Sequence, residues 1–125
     1  MTAAIADYKV KNYSKEKLKK TDEDSVTLTL VKNPDILKEI SSKKQENQII
    51  IGFCAESQNL IEYAKEKIDK KGCDYIVAND ISQKDIGFGS DENEVYIIDK
   101  THNIKHLNKA KKSEIAKGIL EYIFE

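Results

Sequence analysis

The strongest hydrophobic pattern in the chain runs from Gln48 to Ala78. Ile49, Ile50 and Ile51 form an apolar run, and Tyr75, Ile76 and Val77 form a second one. Between them Leu60, Ile61, Ala64 and Ile68, with Tyr63, recur at helical spacing, and Gly72 closes that stripe as a C′ glycine. Buried strand, amphipathic helix and buried strand together predict a βαβ unit with two parallel strands. Ligands of such units gather at the carboxyl ends of the strands. Here those ends are Phe53, Cys54, Ala55 and Glu56 after the first strand, and Asn79 and Asp80 after the second. Lys67 and Lys71, one turn apart, share a helix face.

Around this unit the pattern is weaker. Residues 3–7 read as a short buried strand ending at Asp7. From Lys9 to Lys20 the chain holds six lysines without an amphipathic period, and a polar tip follows around Thr21 to Ser25. Val26 to Val31 alternates with period two, which predicts a strand with one wet face. Asn33-Pro34-Asp35 reads as a helix start: Asn33 to cap, Pro34 at the first helical position, Asp35 at the positive end of the dipole. That helix is spent by about Ser42, with Ile36, Leu37 and Ile40 inward, and its free amides are a natural place for an acceptor-bearing ligand. Asn79 to Asn93 is irregular, Glu94 to Ile98 is a strand, and His102 and His106 lie in a polar connection. A last helix, roughly Lys111 to Phe124, carries Ile115, Ala116, Ile119, Leu120 and Ile123 on one face.

Composition narrows this picture. With 125 residues, 39% hydrophobic and 34% charged, the chain suits one α/β domain with a modest core. A strand at the first residues leaves one side of a sheet uncovered, so the expectation is a truncated domain, half of something larger. The 21 basic and 22 acidic residues nearly cancel, which favours neither nucleic acid nor a membrane surface. No apolar run approaches the roughly 18 residues of a membrane span, and no signal sequence is visible, so a cytoplasmic protein is expected. Cys54 and Cys73 lack CxxC spacing and read as reduced thiols; the two histidines lack a third ligand, so no metal site is assignable. No GxGxxG turn, P-loop or nucleophile elbow occurs. The residues alone point to a nucleotide- or phosphate-binding α/β half-domain of unspecified chemistry.

Six short stretches add a resemblance. They are residues 3–8 (AAIADY), 17–20 (KLKK), 31–36 (VKNPDI), 52–57 (GFCAES), 78–80 (AND) and 87–93 (GFGSDEN). In this order and spacing the chain resembles the C-terminal part of bacterial phosphopantothenoylcysteine synthetase, the CTP-dependent ligase of coenzyme A synthesis usually fused behind a flavin-dependent decarboxylase. The resemblance runs through nearly the whole chain. It implies a Rossmann-like (ribokinase-like) α/β fold in three layers, with a mostly parallel sheet incomplete at its N-terminal side. It also implies that a 4′-phosphopantothenate carboxylate is activated by CTP as an acyl-cytidylate, which the amine of cysteine then attacks.

Carried over residue by residue, the resemblance makes Lys17 the lysine serving the triphosphate and the activated intermediate, and Asp7 a nucleotide-binding aspartate. Pro34, Asp35, Ile36 and Leu37 would receive the nucleotide, Phe53 would flank it, Lys67 and Lys71 would contact it, and Ala3 would approach it through its backbone. Mg2+ is expected to arrive with CTP, and FMN to belong only to the fused decarboxylase domain. Expected partners are CTP, 4′-phosphopantothenate, cysteine, the upstream part of the same protein, and a second copy in a homodimer paired through Val26 to Val31 and the lysine-rich arm. The family's glycine-rich turn and substrate-activating asparagine have no counterpart in these residues. The alternative function is therefore a non-catalytic nucleotide-binding or dimerisation module. Cys54, at a place often held by alanine in the family, reads as a packing residue.

Overall fold

A computed structural model describes residues 5–14, 16, 25–82 and 89–125. Ala3 and Lys17, with the rest of the KLKK stretch, lie outside the described residues, as do Gly87 and Phe88. The chain divides into two compact units, Met1–Ile36 and Leu37–Glu125.

In the first unit, β1 (Tyr8–Val10) pairs antiparallel with β2 (Leu30–Lys32), in the register Tyr8 to Lys32, Lys9 to Val31 and Val10 to Leu30. Two further backbone bonds extend the ribbon: Lys11 N–H donates to Thr29 O, and Asn33 N–H to Asp7 O. Of the strand expected at residues 3–7, the described part, residues 5–7, lies just before the ladder rather than in it, and the strand expected at Val26 to Val31 is displaced and shortened to Leu30–Lys32. Alternation fixes which face a residue takes, but ladder length depends on the partner, and β1 offers only three residues. Val26, Leu28 and Leu30 are all exposed.

The second unit is a three-layer α/β arrangement. Its sheet runs β3 (Ile51–Glu56), β4 (Tyr75–Asp80), β5 (Glu92–Asp99), β6 (Ile104–Lys111), in that spatial order. The βαβ prediction holds: β3 and β4 are parallel, in register from Ile51 opposite Tyr75 to Glu56 opposite Asp80. The crossover is α2 (Leu60–Lys71), closed by Gly72 at φ 68° with its N–H on Ile68 O. The two remaining pairings are antiparallel, so the Rossmann-like sheet is mixed among the described residues rather than mostly parallel. The switch comes at the β4–β5 connection, whose eleven residues fall short of the roughly dozen or more that a parallel crossover needs, and the short β5–β6 hairpin can join only antiparallel strands.

Strand alternation divides the core between the two faces of the sheet. Cys54, Cys73, Ile76, Ala78 and Ile98 turn towards Ala64 and Ile68 of α2, with Leu37 of α1 (Ile36–Lys43) packed beside them. Val77, Val95 and Ile97 turn the other way, against Ile115, Ile119 and Ile123 of α3 (Lys112–Phe124). Ala116 and Leu120, expected on the buried face of this helix, are exposed; the inward stripe is the narrower i, i+4, i+8 row. Gly52 is required where α1 meets the sheet: a Cβ there would lie 2.7 Å from both Leu37 Cδ2 and Ile76 Cδ1.

β6 is the element the hydropathy pattern does not show. Its side chains are mostly polar, and a register irregularity opposite Asn93–Val95 sets Leu107 and Ala110, three apart, on the core side. That irregularity destroys the period-two signature. No helix among the described residues is long and apolar enough to cross a membrane.

Candidate functional site

The candidate site of the second unit lies at the carboxyl ends of β3 and β4, the place such a βαβ unit offers a ligand. A crossover helix runs back along the sheet from those ends, and side chains on a helix tilt towards its N-terminus. Lys67 of α2 therefore reaches back to the strand ends, where its Nζ sits 2.5 Å from Glu56 Oε1. Both side chains are partly exposed, so the pair lies at the solvent edge of the layer. Lys71 lies a turn further from that edge, about 6 Å along the helix axis at 1.5 Å per residue. Of the two lysines, the geometry favours Lys67.

Alternation assigns the rest. Glu56 and Asp80, opposite each other in the parallel ladder, share the α2 face with Cys54 and Ala78. Asp80 Oδ1 accepts from Ser82 N–H at 2.8 Å. Phe53 falls on the opposite face and is 70% exposed, because α3 packs over β5 and β6 and reaches the outer strand only near Ile51, leaving its carboxyl end bare. Lys67 and Phe53 thus flank β3 from its two sides rather than meeting on one. On the Phe53 face, at the end of β4, the buried Asn79 Oδ1 has no hydrogen-bond partner among the described residues. A buried acceptor left unpaired is costly, and this one sits beside a candidate ligand site. In the sequence Asn79 stands out as part of a motif, with no role attached to it.

Leu37 takes a packing role, its side chain resting on the first core cluster and above Gly52. Cys54 is inert: burial pushes its thiol up to about 11, with Lys67 pulling it down and Glu56 adding to the rise. Cys73 is shifted upwards for the same first reason. Both are free thiols.

In the first unit, Asp7 and the Asn33-Pro34-Asp35 segment are brought together. Asn33 Nδ2 donates to Ala6 O at 2.7 Å, and Asn33 N–H donates to Asp7 O at 2.8 Å. This corrects the helix-start reading. Asn33 is tied by backbone and side chain to the first strand, so α1 opens only at Ile36, Asp35 takes the preceding position, and Pro34 lies outside the helix. Asp7, Pro34 and Asp35 are exposed.

At the amino-terminal end of β4 is a pocket of about 270 Å³ lined by Ile49, Asp74, Tyr75, Asp99, Lys100 and Thr101. Its two carboxylates are already committed: Asp99 accepts from Thr101 N–H at 2.8 Å and from Asn103 Nδ2 at 3.0 Å. Asp74 accepts from Lys44 at 2.6 Å, Lys100 at 3.0 Å and Ile50 N–H at 2.9 Å. The histidines are partnered too: His102 Nε2 lies 3.0 Å from Asp69 Oδ1, and His106 Nε2 lies 2.6 Å from Glu94 Oε1 with its ring stacked on Tyr96. Among the described residues no group of three or more His, Cys, Asp or Glu side chains is arranged to hold a metal ion.

Comparison with known proteins places this geometry in a family. A family model described as "DNA/pantothenate metabolism flavoprotein C-terminal domain" matches residues 1–125. The coenzyme A biosynthesis bifunctional protein CoaBC of Borreliella burgdorferi is 49% identical over 123 residues, covering 98% of this chain and 30% of the relative. Its Bacillus subtilis counterpart is 42% identical over 122 residues, with the same coverage of both chains. The chain therefore spans about 30% of the length of these curated relatives. Among solved structures, the C-terminal domain of a CoaBC protein matches with TM-score 0.61 at 37% identity, over 75% of this chain and 44% of that one. The DNA/pantothenate metabolism flavoprotein from Streptococcus pneumoniae matches with TM-score 0.63 at 26% identity, over 82% of this chain and 44% of that one. The resemblance carried by the six short stretches is borne out, and the chain belongs to the family of DNA/pantothenate metabolism flavoprotein C-terminal domains.

Proposed function

We propose that this chain is the CTP-binding part of a phosphopantothenate–cysteine ligase acting in coenzyme A biosynthesis. The observation that carries the reading is Lys67, delivered by α2 to the carboxyl end of β3 in a parallel βαβ unit. Family membership and the names of the relatives, coenzyme A biosynthesis bifunctional proteins, support the pathway.

In the proposed reaction the 4′-phosphopantothenate carboxylate attacks the α-phosphorus of CTP. Pyrophosphate leaves and an acyl-cytidylate forms. The cysteine amine then attacks the acyl carbon, CMP leaves, and the new amide keeps the acyl group. Both steps move negative charge among phosphate oxygens, so fixed cations near the phosphates are what such chemistry requires. Lys67 and Lys71 are assigned to the nucleotide, Phe53 to an aromatic contact beside it, and Lys17 to the triphosphate and the activated intermediate. By the same resemblance Ala3, Asp7, Pro34, Asp35, Ile36 and Leu37 belong to the nucleotide-binding set. Mg2+ enters with the nucleotide as part of the substrate, and flavin chemistry is assigned to the decarboxylase domain.

Two assays test this. Replacing Lys67 and Lys71 together by alanine weakens triphosphate binding, and the loss shrinks at high salt; unchanged affinity returns both lysines to the solvated face of α2. Release of CMP in the presence of phosphopantothenate and cysteine separates a ligase from a second reading, a nucleotide-binding and dimerisation module. The exposed Val26 and Leu28 before β2 and Leu30 at its start favour that module's pairing surface. Light scattering that shows a strict monomer at high concentration contradicts the pairing.

A further inference from the structure

Lys67 does not await a phosphate with an empty ammonium: its Nζ is on Glu56 Oε1. Asp80, opposite Glu56 in the ladder and on the same face, brings a second carboxylate to the strand ends. Its Oδ1 already accepts from Ser82 N–H, which leaves its charge in place. Cys54 beside them is a neutral thiol at physiological pH, since burial lifts it to about 11. Among the described residues, Lys67 and the two carboxylates on the α2 side of the strand ends thus amount to one cation and two anions, an unusual setting for a polyanion.

Resting on the nucleotide-binding reading above, we infer that Glu56 is a specificity-determining residue that sets the charge state of the nucleotide this site accepts. A triphosphate oxygen approaching Lys67 must share or displace the Glu56 carboxylate, and it feels that carboxylate's charge. Free CTP carries close to four negative charges, and its complex with a divalent cation carries about two fewer. At the effective dielectric near a protein surface, a unit charge within about 6 Å of a phosphate is worth a factor of ten or more in affinity. Repulsion from Glu56 and Asp80 therefore falls most heavily on the metal-free nucleotide. Lysine suits this exchange: its ammonium has three donors on a flexible stem, and one carboxylate engages only part of it. The Glu56–Lys67 pair works as a filter, admitting phosphate whose charge is already partly neutralised.

The test is a calorimetric titration of this chain with CTP at fixed ionic strength, once with excess Mg2+ and once with EDTA. The ratio of the two dissociation constants is the readout, and thermal melting checks that each variant is folded. Glu56→Gln is expected to narrow the ratio by about tenfold, equivalent to about 1.4 kcal/mol, chiefly by tightening metal-free binding. Glu56→Asp, which keeps the charge, retains a ratio close to that of the wild type. Lys67→Gln, which leaves Glu56 unneutralised, widens the ratio, and it tests the inference even where Glu56→Gln does not fold. A ratio unchanged in Glu56→Gln or Lys67→Gln overturns the inference. So does a folded Glu56→Gln that loses binding equally with and without Mg2+, because Glu56 then only holds Lys67 in place. Failure of the wild-type chain to bind CTP under either condition contradicts the nucleotide-binding reading itself, a result distinct from an unchanged ratio.

Discussion

Phe53 and Lys67 leave the same βαβ unit on opposite faces of the sheet, so their contributions separate cleanly. Phe53 is 70% exposed, and removing its ring uncovers little. Phe53→Ala is expected to change stability by less than about 0.5 kcal/mol, the usual range for surface substitutions. If the ring flanks a base, the same change weakens nucleotide binding by about 1–3 kcal/mol, the range for a base stacked on an aromatic side chain. A melting temperature that falls while affinity stays constant makes Phe53 a packing residue instead. Asp74 offers the opposite case, a carboxylate whose task is structural. Burial alone would raise its pKa, but the Ile50 amide, Lys44 and Lys100 outweigh burial and hold it at about 2, against an ordinary value of 3.8. A depressed carboxylate stabilises the fold at pH values above its unfolded pKa and loses that contribution as pH falls through the folded one. The shift corresponds to about 2 kcal/mol at neutral pH. Asp74→Asn should cost roughly that much in urea unfolding at pH 7, with the difference from wild type shrinking between about pH 4 and pH 2. A difference independent of pH would show that shape, rather than charge, makes the clip.

At the scale of elements, the seat of α1 on the sheet depends on one missing side chain. Gly52→Ala puts a methyl group 2.7 Å from Leu37 Cδ2 and Ile76 Cδ1, so either the helix or the strand must shift. The expected cost is about 1–3 kcal/mol, as for other overpacked cores. Leu37→Ala in the same chain should recover part of it, which a double-mutant cycle of unfolding midpoints measures. Additive losses would place the strain elsewhere. The elements also show which signals were legible. The apolar runs around Ile49 to Ile51 and Tyr75 to Val77, the stripe Leu60–Ala64–Ile68 and Gly72 mark β3, α2 and β4, because a strand buried on both faces, as β4 is, and a capped helix leave strong local signals. β6 left none, since its irregularity and lysines hide the inward Leu107 and Ala110. The start of α1 was misplaced because Asn33 looks like a cap locally and serves a residue 27 positions away. Glu56 is legible as a strand-end residue, but its pairing is not: its partner Lys67 is eleven residues on, a contact that only the crossover creates.

For the molecule as a whole, a formal net charge of −1 means that the total field will not draw in a triphosphate. Affinity has to come from placed groups, of which Lys67 at the strand end is the best positioned in the second unit. The central claim is that those groups form a site for CTP. Calorimetry of this chain with CTP and with ATP, both in Mg2+, tests it most directly. The account predicts a saturable single-site isotherm for CTP, with ATP weaker by about tenfold or more, or about 1.4 kcal/mol. Equal affinity for the two nucleotides, or no heat from CTP at millimolar concentration, would contradict it.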